Sequence, residues 1–75
     1  MEIDPNDAKA WGNKGLALYN LGKYDESIKH YDKAIEIDPN KADYWNRKSL
    51  ALGKLGKEEG ARKCLNIAKE LQANT

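Results

Sequence analysis

The sequence contains a single cysteine, Cys64, so a framework of intrachain disulfides is excluded. A lone thiol is typical of proteins from a reducing compartment. The sequence also lacks any apolar run near the ~18 residues that a membrane-spanning helix requires. Residues 1–5 do not show the basic and then apolar order of a signal peptide. These absences predict a cytoplasmic protein with no membrane partner.

An excess of charge of one sign is missing as well. The chain has 13 Lys and Arg residues against 12 Asp and Glu residues, which leaves a formal net charge of +1. Both signs are interspersed along its 75 residues, so no basic stripe would attract a phosphate backbone or an anionic membrane. We therefore expect no nucleic-acid partner.

Catalytic motifs are also absent. The 6 glycines occur singly, and none of them belongs to a glycine-rich phosphate loop. Ser27 and Ser49 lack a base within reach, which a hydrolytic triad requires. The carboxylate pairs Asp25-Glu26 and Glu58-Glu59 stand where helices are predicted to begin, and negative charge there stabilises the helix dipole. The sequence predicts a protein that is not an enzyme and needs no cofactor.

An internal repeat is the main feature that the sequence does have. Trp11 recurs as Trp45, and further segments recur after the same interval of 34 residues. These segments are Leu16-Ala17-Leu18 with Leu50-Ala51-Leu52, and Leu21-Gly22-Lys23 with Leu55-Gly56-Lys57. The same interval aligns residues 2–6 with residues 36–40, identity for identity. We therefore predict that residues 1–7 are the remnant of a preceding repeat, and that the chain is the C-terminal end of a longer array or a fragment cut from one.

Apolar residues within each unit have helical spacing. Trp11 and Leu18 share one helical face, and a second apolar series follows after residue 23. Gly22 separates the two series, because glycine readily adopts the left-handed backbone that ends a helix. Pro39 cannot continue a helix, and Asn40 is expected to cap the next one. The pattern predicts four helices, over residues 8–21, 24–37, 42–55 and 58–72.

A two-helix unit of this period, with small residues at the helix crossing and a proline at its end, resembles the tetratricopeptide repeat. The residues that carry the resemblance are Trp11, Gly15, Tyr24, Tyr31, Ala34 and Pro39 in the first unit and Trp45, Ala61, Leu65 and Ala68 in the second. The resemblance implies an all-α fold of two stacked antiparallel helical hairpins, part of a right-handed α-solenoid, with repeats at residues 8–41 and 42–75. Ser27, Ser49, Glu58 and Ala73 depart from the family pattern.

The resemblance also implies a protein-protein interaction module. In tetratricopeptide arrays the first helices of successive units line a concave groove in which extended peptides bind. The corresponding peptide-binding residues here are Asn13, Leu16, Tyr19, Asn20, Asn46, Arg47, Leu50 and Lys54, and Lys9, Gly12, Asp43 and Gly53 share that face. The alternative is that these polar side chains form an ordinary solvated face.

Within this set, Arg47 is expected to contact a peptide carboxylate and to have no role in the core. Family members that clamp the carboxylate terminus of heat-shock chaperones use lysines, asparagines and an arginine in the groove. Only Asn13 and Arg47 match such positions, whereas Gly12, Leu16 and Asp43 replace the others. We therefore do not expect chaperone tails as ligands.

The two ends of the stack differ. Ile28 and Ile35 are placed to contact the next repeat, and their equivalents after 34 residues are Arg62 and Lys69. A charged outer side is typical of a terminal repeat, although basic side chains can also extend over an apolar neighbour. The first helix lacks a preceding helix, so its flank at Ala10, Lys14 and Ala17 is a candidate surface for self-association. An alternative function is therefore a structural unit that forms homo-oligomers.

His30 is the only histidine, and Cys64 occupies the equivalent position of the second unit. Two such ligands invite comparison with a zinc site, but zinc requires three or four protein ligands. We expect both side chains on the outer face of the second helices, with no metal bound.

Aromatic residues are a further feature that could indicate nucleic acid, because bases stack on aromatic rings. Four of the six fall at core positions of the repeat, where packing explains their presence. The six are Trp11, Tyr19, Tyr24, Tyr31, Tyr44 and Trp45.

Overall fold

The computed structural model describes residues 7–73, and these residues form four α-helices. The helices are α1 (Ala8–Asn20), α2 (Tyr24–Ile37), α3 (Ala42–Lys54) and α4 (Glu58–Ala73). Every helix end lies within one residue of the predicted position, and residues 7–73 contain no β-strand. The predicted remnant of a preceding repeat falls on residues outside the described range, apart from Asp7. The Asp7 carboxylate accepts a hydrogen bond from the Ala10 amide at 3.2 Å and caps α1.

Both helical hairpins turn on a glycine in the left-handed conformation. Gly22 has φ of 79° and Gly56 has φ of 77°, values that are unfavourable for any residue with a Cβ. The Gly22 amide donates to the Tyr19 carbonyl and the Lys23 amide to the Leu18 carbonyl, both at 2.9 Å. Gly56 and its successor make the equivalent two bonds after α3. This pattern ends a helix with its last carbonyls satisfied, as the sequence indicated for Gly22.

The connection between the two hairpins differs from the expectation in one respect. Asn40 does not cap α3, because the N-cap position is taken by Lys41, whose side chain makes no capping hydrogen bond. Asn40 stands two residues before the first helical residue, which is too early for a capping side chain. The connection is fixed instead by the Trp45 indole, which donates to the Pro39 carbonyl at 2.8 Å.

Within the first hairpin, α1 and α2 cross at Gly15. A Cβ at this position would lie 2.8 Å from the ring of Tyr31, a side chain that is only 1% exposed. The buried Ser27 hydroxyl donates to the Gly15 carbonyl at 2.8 Å, so its polar group is satisfied inside the crossing. In the second hairpin, Ser49 and Leu65 hold the positions equivalent to Gly15 and Tyr31.

The second hairpin stacks on the first through α2 and α3. Ala34, Ile35 and Tyr44 form a buried cluster, against which the two tryptophans pack. Lys48 of α3 forms an ion pair with Asp32 of α2 at 2.5 Å. The fold is therefore all-α, with two stacked antiparallel hairpins, as predicted.

Candidate functional site

A pocket of about 120 Å³ opens between the first helices of the two hairpins. We call it the α1/α3 pocket. Helix α1 contributes Lys9, Gly12, Asn13 and Leu16, and α3 with its N-cap contributes Lys41, Asp43, Tyr44 and Arg47. Most of these residues belong to the face that the sequence assigned to the groove, although Lys41 and Tyr44 do not.

The floor of the α1/α3 pocket is formed by Gly12 and Tyr44, both of which are buried. A Cβ on Gly12 would lie 2.5 Å from Cε1 of Tyr44. The expectation that Gly12 simply shares the groove face was therefore incomplete, because its missing side chain makes room for the tyrosine ring. Burial raises the pKa of the Tyr44 phenol, and the carboxylates of Asp38, Asp7 and Asp43 raise it further.

Positive charge predominates in the lining of the α1/α3 pocket. Among the residues that line it, Lys9, Lys41 and Arg47 are cationic and Asp43 is the carboxylate, while Asp7 and Asp38 lie near enough to act on Tyr44 at its floor. The three cations can bind a peptide carboxylate or an acidic side chain through charge-assisted hydrogen bonds.

Arg47 has a second contact that the sequence did not reveal. Its half-buried guanidinium lies beside the hydroxyl of Tyr31. Burial raises the pKa of the Tyr31 phenol, while Ser27 and Arg47 oppose that shift. Arg47 is not among the buried core residues, but its long side chain reaches the Tyr31 hydroxyl at the α1/α2 crossing.

The predicted groove residues do not converge on one cavity. Asn13, Leu16 and Arg47 line the α1/α3 pocket. Tyr19, Leu50 and Lys54 line a second cavity of about 410 Å³, together with Ser49, Gly53, Ala61, Arg62 and Leu65. We call this cavity the α3/α4 groove. Asn20 and Asn46 are exposed and line neither of these two cavities.

The candidate self-association flank lies on α1. Lys14 and Ala17 are exposed there, and Ala10 is half-buried. Next to them, Nε1 of Trp11 is buried and has no hydrogen-bond partner among the described residues. The equivalent Trp45 donates to Pro39, and the equivalent of Pro39 is residue 5, which lies outside the described range.

The histidine and the cysteine are placed differently from the expectation. Cys64 is buried, not on the outer face, because it faces α3 near Lys48. Burial raises the pKa of the Cys64 thiol, and Lys48 opposes the shift. His30 is half-buried, with its ring 5.5 Å from that of Trp11. Within residues 7–73 there is no group of three potential metal ligands, and no helix there is long and apolar enough to cross a bilayer.

Comparison with known proteins agrees with the repeat geometry. A family model described as the tetratricopeptide repeat matches residues 8–41, and another of the same description matches residues 30–63. The chain belongs to the tetratricopeptide repeat family. Its repeats resemble a segment of superkiller protein 3 of Saccharomyces cerevisiae, with 42% identity over 36 residues. That match spans 48% of this chain and 2% of the yeast protein.

Solved structures show the same arrangement of helices. A chain described as MamA MSR-1 C2 superposes with a TM-score of 0.92 at 27% sequence identity, covering 95% of this chain and 41% of the other. A second MamA crystal structure gives a TM-score of 0.89 at 28% identity, covering 92% and 40%. The chain thus spans less than half the length of these tetratricopeptide structures. Together, the repeats and their structural neighbours indicate a helical-repeat module of the protein-interaction type.

Proposed function

We propose that this module binds an extended peptide that presents a carboxylate to the α1/α3 pocket. The observation that carries the proposal is the lining of the pocket, where the cationic side chains of Lys9, Lys41 and Arg47 outnumber the carboxylate of Asp43. A peptide carboxylate, either terminal or from an acidic side chain, is the complementary group. Leu16 supplies an apolar contact beside the charges, which is typical of peptide-binding sites.

Two side chains of α1 are available to orient such a peptide. Lys9 and Asn13 are both exposed at the pocket, one turn apart on the same helix face. Asn13 can accept from a peptide amide and donate to a peptide carbonyl, because its side chain has both groups. Lys9 can pair with the carboxylate. With Asn13 bound to the peptide backbone and Lys9 paired with the carboxylate, one small pocket can recognise both the backbone and the charge of a ligand.

The proposal is tested with a panel of immobilised acidic octapeptides, each made with a free and with an amidated C-terminus. We expect the parent chain to bind some of them, and Lys9→Ala and Asn13→Ala to weaken that binding. Lys29→Ala is the matched control, because Lys29 is an exposed lysine of α2 outside the pocket. Equal effects of Lys9→Ala and Lys29→Ala would contradict the proposed site. Stronger binding of the free than of the amidated form identifies the terminal carboxylate as the bound group.

A second function, self-association through α1, is favoured by a different observation. On the flank of Ala10, Lys14 and Ala17, Lys14 and Ala17 are exposed and Ala10 is half-buried, so these side chains are accessible to a second copy. A helix from a second copy could cover this flank. A cytoplasmic location is supported by the single cysteine, which cannot form an intrachain disulfide.

A further inference from the structure

We infer that Tyr31 is a positioning residue for the α1/α3 pocket, because its buried hydroxyl holds the guanidinium of Arg47 in the orientation that meets a ligand carboxylate. The inference rests on the proposed function, since it assigns a further residue to the same site. Arg47 lines the pocket, whereas Tyr31 is only 1% exposed and is not part of the lining. Tyr31 therefore acts on a ligand through Arg47 and not by direct contact.

Helices α1 and α3 run side by side in the same direction. Gly12 of α1 meets Tyr44 of α3, and about two turns later Tyr19 of α1 and Leu50 of α3 line the same cavity. Contacts between the two helices therefore advance in step from one turn to the next. A residue one turn after Tyr44 is expected to lie over the part of α1 that is one turn after Gly12.

That next turn is where Arg47 and Tyr31 come together. Arg47 follows Tyr44 by three residues, just as Gly15 follows Gly12. The ring of Tyr31 packs against Gly15, and a Cβ at this glycine would lie 3.2 Å from Cζ, the ring atom that bears the hydroxyl. The register of α3 on α1 thus brings the guanidinium of Arg47 to the hydroxyl end of the Tyr31 ring.

The Tyr31 hydroxyl has two hydrogen-bonding neighbours, Ser27 and Arg47. The Ser27 hydroxyl donates its proton to the Gly15 carbonyl at 2.8 Å, so it is left to accept from Tyr31. Arg47 has donors alone, so its guanidinium donates to the Tyr31 oxygen. All donors then point the same way, from the pocket to the backbone of α1, and such a chain strengthens each of its hydrogen bonds.

Packing at the helix crossing does not account for this hydroxyl. Leu65 holds the equivalent position in the second hairpin and has no polar group. A phenylalanine ring would fill the space beside Gly15 equally well, and it would avoid the cost of burying a polar atom at a position that is 1% exposed. The contact with Arg47 gives the hydroxyl a role at the pocket.

The guanidinium of Arg47 keeps donors and charge for a ligand. It has five N–H donors, and Tyr31 occupies only one side of the group. Within residues 7–73, none of the ion pairs involves Arg47. A long side chain normally loses rotamer freedom when it binds a ligand, so fixing it in advance raises the affinity. The fork that remains suits a carboxylate, which accepts two parallel hydrogen bonds.

The first test needs no ligand. In the isotope-labelled complete chain, the Nε–H group of Arg47 should exchange with water more slowly than that of the exposed Arg62. Tyr31→Phe should bring the Arg47 signal to the exchange rate of Arg62. Tyr24→Phe is the matched control, since Tyr24 lies outside the pocket, and it should change nothing. An Arg47 signal that is unaltered by Tyr31→Phe would overturn the inference.

The second test measures affinity by calorimetry, with an acetylated octapeptide of alternating alanine and glutamate that has a free C-terminus. Tyr31→Phe should weaken its binding about three- to tenfold. In a chain that already carries Arg47→Ala, Tyr31→Phe should weaken binding no further, because the hydroxyl acts only through Arg47. Equal losses in both backgrounds would show a general structural effect of the hydroxyl and would contradict a positioning role. Circular dichroism confirms that each variant is folded.

A variant outside the helix crossing gives an independent check. Arg47→Lys keeps the positive charge but replaces the planar fork with a single ammonium group, which cannot reproduce the bidentate geometry. We expect affinity for the octapeptide to fall at least about threefold. Unchanged affinity would mean that charge alone is sufficient, so that Tyr31 has no orientation to impose.

The inference and the proposed function fail in different ways. If the octapeptide binds parent and Tyr31→Phe equally well, the pocket remains a binding site and the role of Tyr31 is rejected. If the parent chain binds no acidic peptide, the proposed function is wrong, and acetate then serves as the probe. A shift of the Arg47 Nε–H signal with acetate that is lost in Tyr31→Phe would still support the positioning role, whereas the absence of any shift would reject it.

Discussion

The ring of Tyr44 lies against the backbone of Gly12, so the second hairpin contacts α1 at a position that has no side chain. Both residues are buried, and the contact forms the floor of the α1/α3 pocket. Gly12, which the sequence assigned to the ligand surface, thus has a role in stacking the repeats.

We predict that Gly12→Ala and Gly53→Ala change stability in opposite directions. A Cβ on Gly12 would lie 2.5 Å from Cε1 of Tyr44, and relieving that overlap should cost about 1 to 3 kcal/mol. Gly53 is a helical residue with nothing within 4 Å of its Cβ position, so alanine should stabilise α3 by about 0.5 to 1 kcal/mol. Urea titrations measure both. A stabilised Gly12→Ala would show that Tyr44 does not hold this position.

Tyr31→Ala should be far more damaging. The ring is 1% exposed and fills the α1/α2 crossing against Gly15, so its removal should cost about 3 to 5 kcal/mol. Tyr24→Ala is a suitable comparison. The Tyr24 ring is half-buried and packs edge-on to Tyr19, so its removal should lower the free energy of unfolding by less. A loss below about 1 kcal/mol for Tyr31→Ala in a denaturant titration would mean that the ring is not part of the core.

Stability should fall at alkaline pH. Burial raises the pKa of Cys64 above its usual 9.0, and burial also raises the pKa of Tyr31 and Tyr44 above 10.0. The native state then holds these protons more tightly than the unfolded chain, so the free energy of unfolding decreases as pH rises above 9.0. Cys64→Ala should remove the part of this loss of stability that begins at the lowest pH. Melting temperatures between pH 7 and pH 11 test it, and identical pH profiles for parent and variant would exclude a contribution from Cys64.

Arg47→Ala should weaken the binding of a carboxylate-bearing peptide by about 1 to 3 kcal/mol, because one charge-assisted contact is lost. Arg47 also lies beside the Tyr31 hydroxyl, so the variant's stability must be measured in parallel. Arg62→Ala is the matched control, since Arg62 lines the α3/α4 groove. Peptide affinity is measured by calorimetry. If parent and Arg47→Ala are both folded and have the same affinity, the α1/α3 pocket is not the binding site.

If the chain self-associates through α1, Ala17→Glu should shift it toward the monomer. The substitution places a charge in the flank of Ala10 and Lys14, where burial without a partner is unfavourable. Lys69→Glu alters an exposed residue of α4 and should have little effect. Sedimentation at several concentrations measures both. A parent chain that stays monomeric at millimolar concentration, or a change in mass with Lys69→Glu alone, would place the interface elsewhere.

The helices and the turns between them could be predicted from the sequence. The two glycine turns and the four helices were each supported by matches after 34 residues. Side chains such as Tyr31 could be placed in the core because their equivalents are also apolar.

Contacts between the two units could not be predicted in the same way, because a stack of two hairpins contains only one such interface. Tyr44 corresponds to Ala10, and Gly12 corresponds to Asn46, so the repeat gave no sign of their contact. Cys64 was misplaced for a related reason, since its equivalent His30 is only half-buried. The division of the groove into two cavities likewise depends on how α3 sits on α1, which spacing along the chain does not encode.

The paired residues at the two helix crossings limit how this array can be recombined. Gly15 faces Tyr31 in the first hairpin, whereas Ser49 and Leu65 hold the equivalent positions in the second. A chimera that joins α3 to α2 would force the serine side chain into the tyrosine ring, and one that joins α1 to α4 would leave a void beside the leucine. Single helices therefore cannot be exchanged between the hairpins, because each crossing is matched within its own 34-residue unit.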